Sequence, residues 1–199
     1  IINECSLILR NNNIDVFYNL LCLAYNNKGE TYKAIVIMNE ALKKSPKNTD
    51  FLNNLGMFHS NIYEYKKAEE KYKKGLEIDE NNLSLLNNLA NLKKDLNQTD
   101  EAVIIYEKIL SIKPDALLVM YNLAGLYNSL GQFQKSKKIY FQMLKIKPDF
   151  TEADRLISQI EKYDSKNKHF LNLKKKLSNM KLDNNSLLHL HFALGKAYG

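Results

Sequence analysis

Apolar residues recur along this chain of 199 residues at steps of three and four, in blocks of constant length. In one block, Met120, Leu123, Ala124, Tyr127 and Leu130 trace a single side of a helix. The segment Gly131-Gln132-Phe133 breaks that run, glycine being suited to the left-handed turn that closes a helix. A second amphipathic helix is predicted over 134–145. Lys147-Pro148-Asp149 then ends the block, because proline commonly follows a helix end and disfavours a helical residue before it.

The block length is 34. The three prolines, Pro46, Pro114 and Pro148, are separated by 68 and 34 residues, and Gly29 and Gly131 by 102. Ala34, Ala68, Ala102 and Ser136 keep the single step. Self-similarity at a fixed period sets the architecture before any local reading does. It divides the chain into units 15–48, 49–82, 83–116 and 117–150. Small residues occupy the eighth position (Cys22, Gly56, Ala90, Ala124) and the twentieth (Ala34, Ala68, Ala102, Ser136), where paired helices approach closely. Tyr25, Tyr72, Tyr106, Tyr127 and Tyr140 have the size and helical spacing of core residues.

These positions resemble the tetratricopeptide repeat (TPR) signature. Tyr18, Leu21, Tyr25, Ala34, Ala41 and Pro46 carry the resemblance in the first unit, and Leu55, Gly56, Ala68 and Tyr72 in the second. Leu89, Ala90, Ala102, Tyr106 and Pro114 carry it in the third, and Leu123, Tyr127, Tyr140 and Pro148 in the fourth. The resemblance implies an all-α fold, a right-handed TPR superhelix of antiparallel helix pairs with a groove lined by the first helices. It also makes residues 1–14 the second helix of a truncated preceding repeat. Glu80 stands where proline is expected, and Ile109 and Met143 where a small residue is expected, which predicts looser packing late in the array.

Composition narrows the class. Lys+Arg 29 against Asp+Glu 22 gives a net charge of +7; such a balance suits an acidic partner or nucleic acid, and equally solvated helix faces. The basic residues Lys66, Lys67, Lys71, Lys73, Lys74, Lys135, Lys137 and Lys138 fall on second helices and are expected on the outer face. With only Lys94 in the groove and no basic stripe beside exposed aromatics, no nucleic-acid partner is expected. Two cysteines, Cys5 and Cys22, without a framework point to a reduced, cytoplasmic setting. No apolar run reaches the roughly 18 residues of a membrane span, so no membrane insertion is expected.

Candidate binding chemistry lies on the first-helix face that packing leaves over. Positions 2, 5, 6, 9 and 13 of a unit share one side of the helix. They read Asp50, Asn53, Asn54, Met57 and Asn61 in the second unit, and Ser84, Asn87, Asn88, Asn91 and Asp95 in the third. The fourth unit gives Leu118, Tyr121, Asn122, Gly125 and Ser129. The first is more apolar (Val16, Asn19, Leu20, Leu23, Asn27); such a surface suits a ligand side chain, a dimer contact or, as the leading expectation, packing on a preceding repeat. An amide side chain both donates and accepts, so a column of amides suits the main chain of an extended peptide. Asn54, Asn88 and Asn122 recur at one period and resemble the asparagine ladder of O-linked N-acetylglucosamine transferases. Asn19, Asn53, Asn87, Asn91 and Tyr121 complete the candidate groove. The bland alternative is that these are solvated polar residues in an asparagine-rich chain. Positions 2, 5 and 6 of units two to four hold no Lys or Arg, so the carboxylate clamp of chaperone-docking TPR domains is not expected.

No enzyme is read in this chain. His189 and His191 are two apart and diverge on a helix, and His59 takes the phase of a core residue. No nucleophile motif or phosphate-binding glycine loop occurs. No metal or cofactor is expected. After Phe150 the period fails: residues 151–187 are expected to form junction or capping helices, the first reaching Tyr163 and the next with Lys174–Lys176 on its wet side. Residues 188–199 read as the first helix of a truncated further repeat with a bare apolar face. Residues 146–199, above all "LHFALGKAY", resemble the junction of bacterial TPR–sulfotransferase fusions. The leading expectation is a non-catalytic scaffold binding a protein or extended peptide. A substrate-recruiting arm of a sulfotransferase and a self-associating assembly scaffold are the alternatives, and the sequence leaves the oligomeric state open.

Overall fold

The computed structural model describes residues 15–179 and 181–199; the helix expected over 1–14, with Cys5, lies outside the described residues. Among the described residues there are eleven helices and no strand. The chain is an all-α solenoid of helix pairs, and it divides into two compact units, Ile1–Ile109 and Leu110–Gly199.

In the first unit the helices are α1 (Asp15–Asn27), α2 (Thr31–Lys44), α3 (Thr49–Asn61), α4 (Tyr65–Ile78), α5 (Leu83–Asp95) and all but the last turn of α6 (Thr99–Ile112). Each first helix closes on a residue with positive φ: Gly29 at 81°, Tyr63 at 63° and Asn97 at 58°. The next backbone N–H then reaches back to the helix, as Glu30 does to Tyr25, Glu64 to His59 and Gln98 to Lys93, each at 2.9 Å. This satisfies carbonyls that the helix end would otherwise orphan. Glycine meets the conformation without strain, whereas a tyrosine held there is an outlier. The asparagine ending a unit caps the next helix: Asn48 accepts from Asp50 and Phe51, and Asn82 accepts from Leu85. The helix before Glu80 ends at Ile78 like its counterparts, its C-terminal turn held by an Asn82–Asp79 bond, so the missing proline costs no boundary.

Two clusters form the core of this unit. Tyr18, Cys22, Ala34, Met38, Phe51, Leu55 and Phe58 pack in the first, and Ala68, Tyr72, Leu85, Leu89 and Leu92 in the second. Each large side chain so buried stabilises by about 1.5–3 kcal/mol. The small positions are sterically required. A Cβ on Gly56 would lie 2.3 Å from the Tyr72 ring, and one on Gly75 would lie 2.6 Å from Leu85.

In the second unit α7 (Leu117–Ser129) and α8 (Phe133–Ile146) pair, followed by α9 (Thr151–Ser158), α10 (Lys168–Asn179) and α11 (Asn184–Tyr198). Gly131 makes the same turn at φ 70°. Met143, like Ile109 of the first unit, is fully taken into the core, so larger residues at this position do not loosen the packing as expected. Three further expectations are corrected here. The helix from Thr151 ends at Ser158 rather than Tyr163. The face of α11 is bare only in part: Leu190, Ala193 and Leu194 pack with Phe170 and Leu173 of α10, and α9 also lies against α11, whereas Leu188 and Phe192 stay exposed. Lys176 does not join Lys174 and Lys175 in solvent but is buried.

Candidate functional site

In the first unit the first-helix asparagines bond to one another between successive repeats. Asn54 donates its amide to Asn19 Oδ1 at 2.8 Å, and Asn88 donates to Asn53 Oδ1 at 2.8 Å. Asn61 donates to Asn26 Oδ1 at 3.2 Å, and Thr31 bonds the same oxygen. The sixth position of one repeat thus clasps the fifth position of the repeat before it. All of Asn19, Asn53, Asn54, Asn87 and Asn88 are half-buried, and Asn87 Oδ1 is buried without a hydrogen-bond partner among the described residues. An amide has two N–H groups and two lone pairs on its oxygen. One inter-repeat bond therefore orients Asn19, Asn53, Asn54 and Asn88 while leaving capacity for a ligand.

The remaining candidates separate. Asn91 is turned toward the second helix of its own pair, accepting from the Tyr106 hydroxyl at 2.5 Å. Tyr121 and Asn122 belong to the second unit, where both are half-buried on α7. The Tyr121 hydroxyl donates to Glu152 at 3.0 Å, and its ring meets Phe150 edge-on at 6.3 Å. Burial, with Glu152 adding to it, raises the Tyr121 hydroxyl above its ordinary range. These groups and Leu117 and Leu118 line a cleft of about 350 Å³.

Two buried charged groups escaped sequence reasoning. Lys93 of α5 bonds Glu69 of α4 and Glu101 of α6, both at 2.9 Å, and Gln98 at 3.0 Å. Burial pulls its ammonium down, but the carboxylates of Glu101 and Glu69 outweigh it and hold the group above the ordinary lysine range. In the second unit Asp154 is fully buried, accepting from His169 Nε2 at 3.0 Å and from Lys176 at 2.6 Å. Tyr163 lies 2.7 Å from the other His169 nitrogen. A carboxylate can only accept, so Nε2 carries the proton and Nδ1 takes the phenol's.

The order Asp–His–Tyr has the form of an acid–base relay. Here, however, burial pushes the Tyr163 hydroxyl well above its ordinary range and Lys176 neutralises the carboxylate, so the chain ties α9 to α10 rather than activating a nucleophile. Cys22 is likewise inert, its thiol pushed up to about 12 by burial. Among the described residues no group of three or more metal-ligating side chains is gathered, and no helix is long and apolar enough to cross a membrane. His59 packs in the core as expected, against Glu64 at 2.6 Å.

Comparison with known proteins follows the same lines. Two family models, each described as tetratricopeptide repeat, match residues 49–82 and 97–160. The chain carries tetratricopeptide repeats. No curated protein matches it by sequence. Among solved structures it is similar to MamA, with 22% identity and a TM-score of 0.65 over 91% of this chain and 90% of that one. It is similar to PilF of Pseudomonas aeruginosa, with 21% identity and a TM-score of 0.66 over 91% and 82%. YrrB, described as a TPR protein with an unusual peptide-binding site, shares 14% identity and a TM-score of 0.63 over 96% and 90%. At these identities the likeness is one of fold.

Proposed function

We propose that the chain is a non-catalytic scaffold that binds a protein as an extended polypeptide along its first-helix amide face. The observation that carries the proposal is the clasp of Asn54 on Asn19 and of Asn88 on Asn53. Amides held in one orientation lose less entropy on binding than free ones, and each keeps a donor and an acceptor suited to peptide N–H and C=O groups. The fold likeness to a protein described as peptide-binding supports the reading without supplying its residues.

The test is a titration with unstructured peptides. Alanine at Asn54 and Asn88 should weaken binding by about 1 kcal/mol per hydrogen bond lost. Unchanged affinity in folded variants overturns the amide face as the binding surface. The sulfotransferase-recruiting arm rests on the resemblance of residues 146–199 alone, and the proposal does not depend on it.

A further inference from the structure

The net charge is not shared between the two units. Residues 1–109 hold fourteen Lys and Arg against fifteen Asp and Glu, whereas residues 110–199 hold fifteen against seven. Within the second unit, an open cleft of about 510 Å³ lies between α8 and the start of α10, lined by Phe141, Leu144, Lys145, Lys168, His169 and Asn172. Its wall is tied together: Phe141 meets the His169 ring edge-on at 5.5 Å, and both nitrogens of that ring are held, by Asp154 and Tyr163. Lys176 locks the same carboxylate from the far end of α10. Lys145 and Lys168 have no acidic partner among the described residues. On its other side Lys145 borders a second cleft, of about 480 Å³, that includes Met120 and Ile146.

We infer that this cleft is a docking site for an acidic peptide segment carrying an apolar anchor, distinct from the amide face of the first unit. The apolar floor takes the anchor, and the two unpaired ammonium groups at the rim take flanking carboxylates. The buried Asp154 cluster thereby gains a purpose, holding α10 at the distance from α8 that keeps the cleft open.

The experiment is fluorescence anisotropy on the full chain at low salt. The probe is a labelled peptide of glutamates interrupted by one leucine–phenylalanine pair. Binding should saturate, weaken with salt, and fall when the apolar pair is changed to serine. The variant K145E/K168E should weaken binding by about tenfold, roughly what reversing two rim charges removes. The variant K66E/K67E changes the net charge equally but should leave binding intact, as should alanine at Asn54 and Asn88. Equal loss in both lysine variants would show general attraction and overturn the site, as would indifference to K145E/K168E. An oligothymidine of the same charge binding more tightly than the peptide would overturn the acidic-peptide assignment in favour of nucleic acid. Both lysines line an open cleft; if K145E/K168E loses its helical circular dichroism, K145Q/K168Q serves in its place, and unaltered peptide affinity in that variant overturns the site too.

Discussion

The two units solve the same packing problem with different chemistry. In the first, successive first helices are joined by neutral amide pairs, Asn54 to Asn19 and Asn88 to Asn53, and the one deeply placed lysine, Lys93, is shared by two carboxylates near the surface. In the second, one fully buried carboxylate, Asp154, holds a histidine and a lysine from α10. Amide pairs repeat with the sequence, so they extend as far as the repeats do. A buried charge cluster is a single fixture, and it appears where the period has ended and α9–α11 must be placed individually.

That contrast breaks most sharply at Asp154. Removing its carboxylate by Asp154→Ala strands a histidine and a lysine in the interior, and should cost about 3–5 kcal/mol in urea unfolding. Hydrogen exchange should place the loss in α9–α11. The regular unit is most vulnerable where its helices approach: Gly56→Ala pushes a methyl into the Tyr72 ring and should cost about 1–3 kcal/mol in the same assay. Tyr63→Gly acts in the opposite sense. It relieves the left-handed conformation of a residue that is 78% exposed, and should stabilise by about 1 kcal/mol, raising the melting temperature. Asn54→Ala removes one inter-repeat bond and should cost about 0.5–1.5 kcal/mol.

The smallest effect is the acid response of the first unit. Glu69 is held below its ordinary value of 4.5, first by Lys73 and then by Lys93. A carboxylate lowered in the folded state contributes stability that is complete above 4.5 and is lost as the pH falls through the folded value. Melting followed by circular dichroism should therefore show a decline on the acid side that Glu69→Gln reduces. A decline unchanged by that substitution would assign it to other carboxylates.

The period made the helix pairs legible, because Ala34, Ala68, Ala102 and Ser136 mark close approaches that only small residues tolerate. It also placed the amide face, although not the bonds within it. The signal was present, since Asn19, Asn53 and Asn87 recur at the fifth position just as Asn54, Asn88 and Asn122 do at the sixth, and two adjacent columns of amides can pair. Tyr63 hid a positive φ because nothing but its register with Gly29 and Gly131 marks it. Lys176 was misread because a run of three lysines looks solvated, and its partner Asp154 lies twenty-two positions away in a segment without a period. Long-range pairing of charges outside a repeat leaves no local pattern to read.

In the proposed function the first-helix amides of the first unit meet a polypeptide main chain. The side-chain NH₂ resonances of Asn54 and Asn88, assigned by their loss in the alanine variants, report this directly when an unstructured peptide pool of mixed sequence is added. Both should shift together and saturate. Saturable binding that moves resonances elsewhere and leaves these two fixed would contradict it.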